Sequence, residues 1–207
     1  MAQFKSFLVF GPNGIGKGTN AKAAGKLPGY LHFSTGDMFR ALVARVKEGN
    51  ASELELRIDK TMKSGGLVDD QTTVDLARQN LESAVADGSF NPETDYILLD
   101  GLPRNRKQAE MISDFIDVLS VLHVTASREV AVERITGRAK IEGRKDDQDA
   151  ESVGKRLDIF FNNATDILSY YDSAFDGKNE FDSEKIHYID ANQRPAAVLK
   201  DFLEYLV

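Results

Sequence analysis

Gly11-Pro12-Asn13-Gly14-Ile15-Gly16-Lys17-Gly18-Thr19 decides how the rest of this chain reads. Its glycines let successive backbone N–H groups turn toward one anion, a following helix N-terminus adds partial positive charge, and Lys17 supplies a full one. The general phosphate-loop formula places Ser or Thr directly after the lysine. Here Gly18 intervenes and Thr19 comes next, which makes a direct hydroxyl contact from Thr19 to a metal the less secure part of the match. The flanks fit. Phe4–Phe10 is short, apolar and aromatic and predicts a buried strand, while Thr19–Lys26 is rich in Ala and Lys and predicts a helix.

Composition narrows the field. With 207 residues and 42% hydrophobic content the chain can bury one sizeable core but is short for two independent domains. A net charge of −7 argues against a general nucleic-acid or anionic-membrane binder, so any polyanion site must be built from locally gathered Arg and Lys. No cysteine is present and the three histidines, His32, His123 and His187, are scattered. Neither a disulfide framework nor a structural zinc site is expected. The first apolar stretch is too short for a signal peptide or a membrane span, and a cytoplasmic location is the expectation.

Four more β-prone runs follow the first, at Tyr30–Phe33, Tyr96–Leu99, Val118–Thr125 and Ile186–Ile189, separated by segments of helical periodicity. Strands alternating with helices predict an α/β fold with a five-stranded parallel sheet covered on both faces. Thr35–Ser64 and Asp69–Asp87 break the alternation as successive helices and predict an insertion on the sheet's edge, with Gly65-Gly66 as a helix end. Its apolar stripes read as packing faces. From Asp146 a long helix is expected, with a turn at Gly177-Lys178-Asn179.

A second constellation involves charge. Asp100 closes an apolar strand, and an Asp there, beside a phosphate-loop strand, is placed to organise magnesium and its waters. Its competing role is a turn or helix cap. Arg134 and Arg138 share a helix face at i, i+4, Arg144 and Arg156 follow, and Arg40 and Arg104 lie upstream. Guanidinium groups grip phosphate oxygens bidentately. Any one of them alone reads equally as half of a surface ion pair. Their recurrence beside strand ends favours phosphate binding.

These residues carry a resemblance. Gly11–Thr19, Ser34-Thr35-Gly36-Asp37-Met38-Phe39-Arg40, Gly66-Leu67-Val68-Asp69-Asp70, Asp100-Gly101-Leu102-Pro103-Arg104 through Gln108-Ala109, and Arg134-Ile135-Thr136-Gly137-Arg138 with Arg144-Lys145-Asp146-Asp147 stand in the order and spacing of the nucleoside monophosphate kinases. The chain most closely resembles the adenylate kinase family. Pro12 stands one position early and Leu102 replaces an aromatic residue. Only five residues, Ala139–Gly143, separate Arg138 from Arg144, which resembles the short-lid members.

The resemblance implies a P-loop NTPase three-layer fold over residues 1–207, with a helical monophosphate-binding insertion at 35–66 and a short lid loop at 138–146. It implies transfer of a phosphoryl group from Mg-ATP to AMP giving two ADP, a role in adenine nucleotide homeostasis, and a cytoplasmic monomer without nucleic-acid or membrane partners. Gly14, Ile15, Gly16, Lys17, Gly18 and Thr19 are then the ATP-phosphate cradle, with Arg134 against the adenine and Gln193-Arg194 behind it. Arg40 and Arg104 take the AMP phosphate, while Thr35, Gly66, Val68, Gly101 and Gln108 line the AMP pocket. Lys17, Arg104, Arg138, Arg144 and Arg156 are the catalytic set. Asp100 orders the magnesium waters, Thr19 is a further candidate ligand, and no zinc is expected. Thr35 has a second reading as a helix cap. Two alternatives remain, a UMP/CMP kinase and a non-catalytic adenylate sensor. Thr35 and Gln108 resemble the adenine-directed members, and arginines aimed at a transition state have no use in a sensor.

Overall fold

A computed structural model describes residues 4–63, 68–142, 149–173 and 183–206, with the backbone alone for 138–142, 150 and 152. Five strands, β1 (Phe4–Phe10), β2 (Tyr30–Ser34), β3 (Tyr96–Asp100), β4 (Ile116–Thr125) and β5 (Ile186–Asp190), form one parallel sheet in the order β2-β3-β1-β4-β5. Each predicted run is a strand, one or two residues longer than its apolar core wherever the ends differ, because ladder hydrogen bonds reach past the buried side chains.

The alternation of side chains in β1 shows why the sheet is covered on both faces. Phe4, Leu8 and Phe10 join one apolar cluster with Met38, Leu42, Leu81, Ile97, Leu99, Ile112 and Ile167. Phe7 and Val9 join the other with Ala21, Leu98, Ile135, Leu157, Ile189 and Phe202. A strand with large apolar groups at both odd and even positions can be satisfied only in the middle of such a sheet. β1 is that middle strand.

Eight helices are described: α1 (Lys17–Ala24), α2 (Thr35–Lys47), α3 (Glu53–Lys63), α4 (Asp70–Ala86), α5 (Arg106–Ile112), α6 (Arg128–Glu142), α7 (Ala150–Tyr171) and α8 (Pro195–Glu204). Three predicted boundaries are corrected. α1 begins at Lys17 rather than Thr19, because Gly16 takes a left-handed conformation (φ 100°) and turns the chain directly into the helix. The expected Thr35–Ser64 helical stretch is two helices interrupted at Glu48–Ser52, where Gly49 has φ 76°. The long helix expected from Asp146 runs from Ala150 to Tyr171. Side-chain caps fix several starts: Ser34 accepts from Asp37 N, Asp69 from Thr72 N and Asn105 from Gln108 N. Each such cap contributes about 1 kcal/mol. The Gly65-Gly66 helix end and the Gly177-Lys178-Asn179 turn lie outside the described residues.

Register levels the carboxyl ends of the strands. Val9 lies opposite Asp100 and Leu122, and Asp100 lies opposite Ser34. The segments leaving β1, β2 and β3 therefore emerge side by side on one edge of the sheet. That edge is where ligands bind in open parallel sheets.

Candidate active site

The loop from Gly11 to Gly16 wraps the end of β1 and feeds α1. Gly16 caps α1 and, being glycine, makes no side-chain hydrogen bond to the helix start, which leaves that end suited to an anion. Lys17 is buried and donates from Nζ to Pro12 O over 2.9 Å, so the ammonium folds back over the loop. α6 braces the same loop from behind. Gly14 has φ 85°, and a Cβ there would stand 2.2 Å from Ile135 Cγ1, so no larger residue fits without displacing α6. Arg134, one residue before Ile135, donates from Nη1 to Ile15 O over 3.2 Å.

Asp100 sits across from this loop. Its Oδ2 is 3.7 Å from His32 Nε2. A Cβ on Gly18 would come within 3.1 Å of that same oxygen, tighter than ordinary van der Waals contact. This closeness favours glycine where the general formula has Ser or Thr, because a side chain there would press on the Asp100 carboxylate and require it to move. Burial by itself would push the Asp100 carboxyl up, but the adjacent His32, the Lys17 ammonium and the Arg104 guanidinium outweigh it and hold the group below its ordinary value. Asp100 is an anion at neutral pH.

Beyond Asp100, Gly101 takes φ 85°, and a Cβ there would meet Thr35 Oγ1 at 2.5 Å. Thr35 is fully buried and its hydroxyl donates to Gly101 O over 2.9 Å. The helix cap is Ser34, not Thr35, which is the first residue of α2. Arg104 lies over the same turn, donating from Nε to Gly101 O (2.9 Å) and from Nη2 to Thr35 Oγ1 (3.4 Å). Burial lowers the affinity of Arg104 for its proton, Asp100 opposes this, and the nearby positive charge of Arg156 adds to it. Two guanidinium groups that repel one another are thus gathered beside a buried lysine. Like charges so placed are stabilised when an anion lies among them.

Other predicted residues are placed less centrally. Arg40 is half exposed and pairs with Asp37 on α2. Val68 lines a cleft of about 270 Å³ between α3 and α4, together with Leu54, Arg57, Ile58, Thr61, Asp69 and Thr72. Thr19 is exposed on α1. Gln193 donates to Asp201 of α8, and Arg194 caps that helix without a side-chain hydrogen bond. Arg138 is described by backbone only, in α6, and Gly66 and Arg144 lie outside the described residues, as does 143–146 of the expected lid loop. Among the described residues no group of three or more His, Cys, Asp and Glu side chains could hold a metal ion, and no helix is long and apolar enough to cross a membrane.

A family model described as Adenylate kinase matches residues 9–175, more than three quarters of the chain. The chain belongs to the adenylate kinase family. It is therefore a nucleoside monophosphate kinase, a phosphotransferase that binds nucleotides, ATP among them. Among its curated relatives, the adenylate kinase of Cyanothece sp. is 32% identical over 191 residues, covering 90% of this chain and 87% of the relative. Those of Xanthomonas campestris pv. campestris and Xanthomonas euvesicatoria pv. vesicatoria are each 35% identical over 170 residues, covering 80% of this chain and 84% of theirs.

In this adenylate kinase family member, three residues near the site escaped the sequence reading. His32 read as one scattered histidine, yet it lies on the strand that pairs with β3, two residues before Ser34, which lies opposite Asp100. A strand-period count backward from Ser34 would have put it on the same side. Asn105 and Asp70 both contact Gln108, and their signal was weaker: each is a polar residue at a helix start, where capping is the usual role. Gln108 is 5% exposed, and its amide is engaged on both sides within the protein.

Proposed function

We propose that this chain catalyses reversible phosphoryl transfer from Mg-ATP to AMP, giving two ADP. The observation that carries this reading is the gathering of Lys17 and Arg104 around an ionised Asp100 at the level carboxyl ends of β1 and β3, with Arg156 near Arg104. The acceptor phosphate is already an anion, so no strong general base is required, and the barrier falls by positioning and charge neutralisation. The loop N–H groups and Lys17 would hold the ATP phosphates, while Arg104 and Arg40 would hold the AMP phosphate. Arg138, Arg144 and Arg156 would stabilise the charge that spreads over the transferring group. Arg134, with Gln193-Arg194 behind it, would lie against the ATP base. Thr35, Gly66, Val68, Gly101 and Gln108 would surround the AMP base and ribose.

Magnesium fits the donor set, because Asp100 is a hard, ionised oxygen ligand close to the loop; it would be held there through water, with Thr19 as a further ligand, and would offset phosphate charge. The proposal includes residues 35–66 as the monophosphate-binding insertion, 138–146 as a short lid, and a cytoplasmic monomer that acts on ATP, AMP and ADP without zinc.

The test is a coupled assay of purified protein with Mg-ATP against AMP, dAMP, CMP, UMP and GMP. The expected result is the highest kcat/KM with AMP. A higher kcat/KM with CMP or UMP would make it a pyrimidine nucleotide kinase. Nucleotide binding without turnover of any monophosphate would make it a sensor.

A further inference from the structure

We propose that Asp70 is a specificity-determining positioning residue, which fixes the polarity of the Gln108 amide and thereby selects a monophosphate whose base offers an amino donor next to a ring-nitrogen acceptor. The inference rests on the reading of Gln108 as a contact to the AMP base.

The Gln108 side chain lies between two groups of opposite character. The backbone N–H of Arg104 donates to its Oε1 over 2.7 Å. On the other side, Nε2 donates to Asp70 Oδ1 over 2.7 Å. A backbone amide can only donate, and Asp70 Oδ1 stands as the acceptor of both the Asn105 and the Gln108 amide nitrogens, so the oxygen faces Arg104 and the nitrogen faces Asp70. Rotating the amide by half a turn would set N–H against N–H at one end and oxygen against oxygen at the other. Both pairings would be lost in a site where Gln108 is 5% exposed and water cannot replace them.

The same carboxylate oxygen also accepts from Asn105 Nδ2 over 3.1 Å, and Asn105 Oδ1 accepts from Gln108 N over 2.8 Å. Asp70 opens α4 and Asn105 caps α5, so the network joins two helix starts. A carboxamide has two acceptor positions on oxygen and two N–H donors. One of each is used inside the protein. One acceptor and one donor remain, in a fixed order, to face a ligand. Adenine presents an amino donor beside a ring-nitrogen acceptor, which complements this order, whereas hypoxanthine presents a ring N–H beside a carbonyl acceptor, which reverses it. A free Gln could turn to suit either base. Held by Asp70 and Arg104, it suits only the first.

The experiment compares kcat/KM for AMP and for IMP, with Mg-ATP saturating, in the wild type and in Gln108→Ala, Asp70→Ala and Asp70→Asn, with melting temperature and ATP KM recorded for each. Asp70→Ala leaves only Arg104 holding the amide, so the AMP-over-IMP ratio should fall by about tenfold, the value of one hydrogen bond to a charged group. Asp70→Asn keeps an acceptor oxygen at the same place and should hold the ratio within about threefold of wild type. An unchanged ratio in Asp70→Ala, or equal losses for AMP and IMP with a lowered melting temperature, would overturn the proposal by making Asp70 a packing residue. If Gln108→Ala collapses the ratio while Asp70→Ala does not, only the role of Asp70 fails. If Gln108→Ala leaves the ratio intact, the reading of Gln108 as a base contact fails, and the role of Asp70 with it.

Discussion

The imidazole Nε2 of His32 stands 3.7 Å from Oδ2 of Asp100, bridging two neighbouring parallel strands beneath the phosphate loop. His32 is one of the groups that favour the ionised carboxylate of Asp100, together with Lys17 and Arg104. His32→Leu should therefore raise the magnesium concentration needed for half-maximal activity several-fold, while the KM for AMP changes little. His32→Gln, which restores a donor, should recover part of the loss. A magnesium titration at fixed ATP and AMP checks this, and an unchanged titration midpoint in His32→Leu would refute it.

Lys17 is the one full charge inside the loop, and its Nζ lies 2.9 Å from Pro12 O. Lys17→Ala removes the charge where negative charge develops, so turnover should fall by roughly two to three powers of ten. The fold should persist, since the apolar clusters on both sheet faces are untouched. Steady-state rates with circular dichroism on the same sample decide the matter.

Arg104 and Arg156 are close enough to repel each other, and Arg104 also donates to Gly101 O and Thr35 Oγ1. Arg104→Ala should raise the KM for AMP much more than that for ATP, because a ground-state clamp appears in KM. Arg156→Ala should act chiefly on kcat, as a contact made in the transition state does. Initial-rate matrices in both substrates separate the two patterns.

Gly14→Val would force φ 85° on a β-branched residue and drive a side chain into Ile135, 2.2 Å from its Cβ. The expected cost is on the order of 1–3 kcal/mol from backbone strain and overpacking. ATP binding should weaken as well, since α6 braces the loop through Ile135 and Arg134. Chemical denaturation and ATP titration of the variant test both parts.

His123 lies at the end of β4 between Phe10 and Tyr188, with ring centroids 5.3 and 5.0 Å away. Burial, reinforced by the Lys17 charge, brings its pKa down to about 4. The unfolded chain therefore binds this proton more readily than the folded one, and stability is lost as the pH falls from the ordinary value of 6.5 toward 4. The slope from this group is on the order of 1 kcal/mol per pH unit across that window. His123→Phe should flatten the fall in stability between those limits, as measured by denaturant unfolding at several pH values. The Asp100 contribution appears lower on the scale, because a carboxyl held below its ordinary value stabilises above that value and loses its effect as the pH falls through the folded one.

Local signals in the chain were strong enough to determine the architecture. A central strand with large apolar groups on both sides, Phe4 to Phe10, can exist only in a doubly covered sheet, and the glycines with Lys17 that follow it commit the turn to an anion. The order of motifs likewise determined the family, because five segments in fixed succession constrain far more than any one of them.

Tertiary structure decided what those motif residues touch. Gln108 is readable as a base contact from its place in a motif, but its engagement by Asp70, 38 positions away, comes only from α4 and α5 meeting at their starts. Thr35 left two roles open, and the folded chain assigns its hydroxyl to Gly101 O, 66 positions away, while Ser34 takes the cap. Gly18 departs from the general phosphate-loop formula, and the folded chain shows what a side chain there would meet: the Asp100 carboxylate, 3.1 Å from a Cβ. Periodicity and spacing report what a residue does within its own segment. Contacts across dozens of residues depend on strand order and register, and these are set only when the two apolar faces of the sheet are buried together.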